Sequence, residues 1–120
     1  MIIDLTENEE LFIQQYKEAA EWADPPEGDE TVPSLSWERQ VLIDCLYFHS
    51  RYGFYIEYEP HNVRLEDVAI DLYLSRSGHG TGFWDNYKER KYPEWLAEMM
   101  QKTAEHMGAH QIEYDIENEV

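Results

Sequence analysis

Cysteine is nearly absent from this chain. Cys45 stands alone, so no internal disulfide is available, and a reducing cytoplasm is the expected setting. No Cys-x-x-Cys or His-Glu-x-x-His pair occurs, and the five histidines are scattered, which argues against a structural zinc. No apolar run approaches the ~20 residues of a membrane span. The start, Met1-Ile2-Ile3-Asp4, lacks the basic and apolar regions of a secretory leader. Positive charge is the scarcest commodity: nine Lys and Arg face 26 Asp and Glu, a net charge of -17. Such a field repels free nucleic acid and anionic membranes and attracts cationic partners.

Apolar side chains and aromatics are plentiful. The hydrophobic fraction of 42% and the four Trp, nine Tyr and four Phe describe a folded chain. At 120 residues it is expected to form a single domain with one modest core. The acids are unevenly spread. Residues 1–30 carry ten acids and one base, Lys17.

Thr6 to Asp24 is expected to be a helix. Thr6 and Glu9 fit a capping box, and Phe12, Tyr16, Ala19, Ala20 and Ala23 form an apolar stripe. Residues 24–36 are acidic and hold three prolines, so they are expected to form an exposed loop. A second helix is expected from Trp37 to about Tyr52, capped by Ser36 and ended by Gly53. Its stripe of Trp37, Val41, Cys45, Phe48 and Tyr52 makes Cys45 a core residue. His49 is the only local partner for a nucleophilic role.

Phe54 to Glu59 alternates and is aromatic, the pattern of a strand, followed by a turn at Pro60-His61-Asn62. Val63 to Ala69 suggests a short helical turn, and Ile70 to Ser75 a second strand. Pro93 opens a third helix, placed by Trp95, Leu96, Met99, Met100, Thr103 and Met107 and ended by Gly108. Gln111 to Ile116 reads as a last strand, expected beside the strand that enters the glycine loop. The expected fold is therefore α+β: a small, mainly antiparallel sheet with about three helices.

The most unusual stretch runs from Asp71 to Asp85. Gly78-His79-Gly80-Thr81-Gly82 sets three glycines in five residues, followed by Phe83 and Trp84. Backbone N–H groups with Arg76 and His79 could cradle an anion, and Asp85 could orient His79 as an acid or base. The spacing matches neither a P-loop nor a dinucleotide fingerprint. The competing reading is a structural turn in which His79 and Asp85 bond backbone groups and Phe83 and Trp84 plug the core.

Residues 71–120 resemble a largely uncharacterised family of small proteins encoded by tailed phages and related mobile elements. The shared pattern is Ser75-Arg76, then Gly-His-Gly-x-Gly-Phe-Trp-Asp at 78–85, a helix, a glycine and a short acidic strand. The resemblance implies a phage origin and a host-cell setting, and carries no activity over.

Two functional readings follow. In the first, the chain is a non-enzymatic phage accessory protein in the host cytoplasm. It binds and modulates a host protein with a basic surface, as an anti-defence inhibitor might do with a DNA-mimicking acidic face. Glu7, Glu10, Glu18 and Glu21 on the first helix are its candidate binding residues, with His79 and Trp84. No cofactor, metal, membrane or direct nucleic-acid contact is expected. In the alternative, a small enzyme or anion-binding domain uses Arg76, His79 and Asp85.

Overall fold

A computed structural model describes residues 4–28, 30–57, 63–78 and 82–116. Among them are five helices and one two-stranded antiparallel ribbon around a shared core. The helices are α1 (Glu7–Ala23), α2 (Leu35–Glu57), α3 (Leu65–Arg76), α4 (Phe83–Arg90) and α5 (Glu94–Met107). The strands are β1 (Glu30–Pro33) and β2 (Tyr114–Ile116). The chain is thus mostly helical.

Helix α1 forms as its residues dictate. Thr6 Oγ1 accepts from the Glu9 amide at 3.1 Å, and Glu9 Oε1 accepts from the Thr6 amide at 2.8 Å. The stripe of Phe12, Tyr16, Ala19 and Ala20 is buried. At the other end Asp24 is held from two sides. The Tyr73 hydroxyl donates to its carboxylate at 2.6 Å, and the Tyr114 hydroxyl donates to its carbonyl at 2.7 Å.

Helix α2 starts earlier and ends later than its sequence pattern suggests. Ser34, not Ser36, accepts from the Trp37 amide at 3.1 Å. Gly53 does not end the helix, and residues 54–57 continue it where a strand was expected. The remaining two residues of that expected strand, and the turn at 60–62, lie outside the described residues. Gly53 has a packing reason. A Cβ there would come within 3.0 Å of the His49 ring. The missing side chain lets His49 reach along the helix to Glu57, Nε2 to Oε1 at 2.8 Å. Residues 49, 53 and 57 lie one above another at four-residue spacing. His49 is therefore engaged by Glu57. Burial and the adjacent Asp44 push the Cys45 thiol well above its ordinary range, which opposes a nucleophilic role.

The expected turn at 63–69 and strand at 70–75 are instead one helix, α3. It sits at the centre, packed against α1, α4 and α5. Val68, Ala69, Asp71, Leu72, Tyr73 and Arg76 are all buried. A helix enclosed on most sides carries no polar stripe, so its 3.6-residue period is hidden. Leu72 and Leu74 alternating with Tyr73 and Ser75 then imitate a strand.

β1 arises inside the acidic proline loop and pairs with β2: Val32 stands opposite Asp115 and Pro33 opposite Tyr114. The last strand therefore has the loop for its neighbour, because the segment entering the glycines is helical. β2 is also shorter than Gln111–Ile116. The helix that follows Pro93 appears as expected, with Pro93 as its N-cap residue and Gly108 at φ 91 closing it.

Aromatic rings run through the core. Phe12 stacks on Phe48 at 6.0 Å, Phe48 on Phe83 at 5.6 Å, and Phe83 tilts against Tyr92 at 6.0 Å. The row links α1, α2 and α4 to the turn before α5. Each such pair adds about 0.5–1.5 kcal/mol beyond the burial itself. At its end the Tyr92 hydroxyl donates to the fully buried Asp71 at 2.6 Å. Asn86 Nδ2 donates to the same carboxylate at 3.0 Å, and Arg90 Nε lies 3.4 Å from it. Arg90 also pairs with Asp67 at 3.1 Å. One carboxylate on α3 thereby fixes α4 and the turn that follows it.

Burial raises the Asp71 carboxyl above its ordinary value, against the lowering pull of Tyr92, Arg90 and Asn86. A carboxyl raised in this way holds its proton more tightly folded than unfolded. Its stabilising contribution is complete below the ordinary aspartate range and is lost as pH climbs through the higher native value. The unfolding free energy of the wild type, minus that of Asp71→Asn, should therefore fall with rising pH in that window. Urea melts across the acid range measure it, and a difference that grows with pH would contradict the assignment.

Candidate functional site

The four glutamates singled out on α1 share one face. At 100° per residue, Glu7, Glu10, Glu18 and Glu21 fall within about 80° of one another, along about 21 Å of axis. All four are exposed. Lys17 beside them is paired with Glu38 at 3.2 Å. The opposite face carries Phe12, Tyr16 and Ala20, all fully buried. The carboxylates are therefore displayed on a backbone that the core holds still.

Acidity continues past the end of the helix. Glu27, Glu30, Glu113 and Asp115 are exposed around the β1–β2 ribbon. A cleft of about 380 Å³ there is lined by Asp24, Glu27 and Glu30 with Gln111, Ile112 and Tyr114, and by no Lys or Arg. The density remains below that of DNA. One strand of a duplex presents a phosphate about every 3.4 Å, whereas α1 shows four carboxylates over its length.

The residues proposed around the glycine loop do not form one group. His79, Gly80 and Thr81 lie outside the described residues. Arg76 ends α3 and is only 4% exposed. Its Nη1 lies 2.9 Å from Asp44 Oδ2 and donates to the Tyr16 hydroxyl at 3.2 Å, and its Nε donates to the Gly108 carbonyl at 3.0 Å. The contact with Asp44 is coulombic rather than a directed hydrogen bond. Its own carbonyl accepts from the His110 amide at 2.6 Å. Arg76 thus spends its donors inside the protein, and an anion cradle built on the loop would lack this cation. Burial, helped by Arg76, lowers the His110 imidazole pKa and keeps that ring neutral where it stacks on Trp37.

Asp85 is exposed in the first turn of α4. Gly78 takes φ 77, a left-handed angle that favours glycine. Gly82 is extended, and its requirement is space: a Cβ would lie 2.1 Å from Ser75 Oγ and 2.8 Å from Gln101 Oε1. At least part of the loop is thus shaped by close packing between α3 and α5. Among the described residues, no group of three His, Cys, Asp or Glu is placed to hold a metal ion.

Phe83 and Trp84 part company. Phe83 is fully buried in the aromatic row. Trp84 is 43% exposed, stacks on Tyr87 at 5.1 Å, and lines a shallow groove with Asp85, Glu98, Gln101, Lys102 and Glu105. The expectation that both rings plug the core is corrected: only one does, because α4 begins at Phe83 and turns the next residue outward.

Trp22, which the sequence reading passed over, is the most exposed large apolar side chain, at 82%. It borders a groove of about 530 Å³ where α1, α3 and α4 meet. The available signal was its position. Residue 22 falls off the stripe of Phe12, Tyr16, Ala19, Ala20 and Ala23, so a helix beginning at Thr6 must show this indole to solvent.

No family model, curated protein or solved structure matches the chain.

The two neighbouring aromatics should respond differently to truncation. Phe83→Ala is expected to cost about 3–5 kcal/mol, as loss of a core ring does. Trp84→Ala should cost less than about 1 kcal/mol. Denaturant unfolding measures both, and equal costs would place Trp84 in the core after all.

Proposed function

We propose that this chain is a non-enzymatic binding protein that modulates a partner through the acidic face of α1, the partner presenting a basic surface. The observation that carries the reading is the shared face of Glu7, Glu10, Glu18 and Glu21 on a helix capped by Thr6 and anchored through Asp24. A charged surface fixed in this way steers association and sets orientation, because little ordering remains to be done at contact. The resemblance of residues 71–120 to phage-encoded proteins makes the partner, in this proposal, a protein of the host cell. The setting is the host cytoplasm, and inhibition of a defence factor is the form the modulation takes. Competition for a nucleic-acid groove is the narrower version. It draws support from the continuation of acids around the ribbon, and α1 alone is sparser than a phosphate strand.

Capture from host lysate supplies the partner, and association is then followed against ionic strength. Binding should be fast at low salt and weaken steeply as salt rises. Changing Glu7, Glu10, Glu18 and Glu21 together to Gln should slow association at least about tenfold at low salt. It should leave the fold intact, at a cost of about 1 kcal/mol from lost helix-dipole contacts. Added duplex DNA should compete for the partner. A complex indifferent to salt, to the four changes and to DNA would overturn the proposal.

A further inference from the structure

Three helical stripes converge beside the acidic face. Gln15, Glu18, Ala19 and Trp22 come from α1, Ile70 and Leu74 from α3, and Asn86 and Arg90 from α4. Each set has the three- and four-residue spacing of neighbours on a helix surface. The groove between them, about 530 Å³, lies within the ~300–1,000 Å³ typical of ligand sites. Ala19, Ile70 and Leu74 supply apolar lining, and Trp22 stands largely in solvent at its edge.

The polar members decide what fits. Glu18 lies four residues before Trp22, so its carboxylate and the indole are neighbours. Both carboxylate oxygens are bonded, Oε1 from Gln14 at 3.1 Å and Oε2 from Gln15 at 3.2 Å, which orients the group. Among the described residues no cation pairs with it. Arg90, across the groove, is occupied by Asp67 and Asp71. An acidic occupant would therefore meet an unpaired carboxylate and a cation already taken. A Lys or Arg side chain would find its complements: apolar lining for its methylenes, an indole face for its charge, and Glu18 for its donors.

We infer that this groove is a docking site for a basic segment of a partner protein, one that inserts an arginine or lysine between Trp22 and Glu18 with a neighbouring aliphatic side chain over Ile70 and Leu74. The inference rests on the acidic-face reading, since Glu18 belongs to both surfaces. It adds a specific anchor to a surface that otherwise attracts by charge alone. Buried aromatic contacts flanked by charge are where binding energy concentrates.

The test uses the full chain, labelled with nitrogen-15 and titrated at low salt with the peptide acetyl-Arg-Leu-Arg-Leu-Arg-amide. A second peptide carries citrulline in place of arginine. The Trp22 indole signal, identified by its loss in Trp22→Phe, should shift saturably with the arginine peptide only. Trp22→Ala and Glu18→Gln should each weaken binding about five- to tenfold, and melting should be unchanged because both side chains are exposed. If the arginine peptide binds equally well to wild type and Trp22→Ala, the groove is not the site and the acidic face stands alone. No binding of the arginine peptide at low salt would overturn the groove and the acidic-face reading together. Equal binding of the citrulline peptide would refute a cation-selective groove. Movement of the Trp22 signal on dilution without peptide would show that a second copy covers it, which also refutes the proposal.

Discussion

The guanidinium of Arg76 is the point at which this fold closes. A cation left buried without partners costs several kcal/mol, and here the partners come from different parts of the chain. Tyr16 lies on α1, Asp44 on α2, and the Gly108 carbonyl just beyond α5. The charge is compensated only when all three are in place around the end of α3. Five residues earlier, Asp71 does the same for α4 and the turn before α5. The two charges project about 140° apart around the helix, so a central helix with little free surface binds its neighbours on two sides.

This arrangement separates the charges by role. Arg76 and Arg90, which might have offset nearby acids at the surface, are taken inward by Asp44, Asp67 and Asp71. The exposed acids of α1 and the ribbon are left with little positive charge around them. The surface is consequently more one-sided than composition alone conveys. Helix α1 is where the consequence is greatest: one face locked by Phe12, Tyr16 and Ala20, the other presenting four carboxylates, with an indole at the join.

Much of this was legible in the sequence where local chemistry decides the structure. Thr6 and Glu9 announced the start of α1, Pro93 and Gly108 bounded α5, and the stripe of Trp37, Val41, Cys45 and Phe48 marked the core face of α2. The errors have physical causes. Gly53 looks like a terminator, yet it serves as the gap beneath His49. α3 is enclosed, so alternation in a short apolar run outweighed a period that had no polar face to reveal it. β1 is held by pairing with a strand about 80 residues away, which no local pattern in 24–36 expresses. Arg76 beside a glycine run suggested a ligand site because sequence proximity cannot show that its donors turn toward Tyr16, Asp44 and Gly108.

The account stands or falls on α1 being a rigid part of the core rather than a helix loosely laid on it. Amide hydrogen exchange under native conditions tests this directly. The amides of Phe12, Tyr16 and Ala20 should exchange only through openings within about 1 kcal/mol of global unfolding, together with those of Phe48 and Leu72. Exchange of the α1 amides through openings of about 2 kcal/mol or less, while α2 and α3 stay protected, would contradict it.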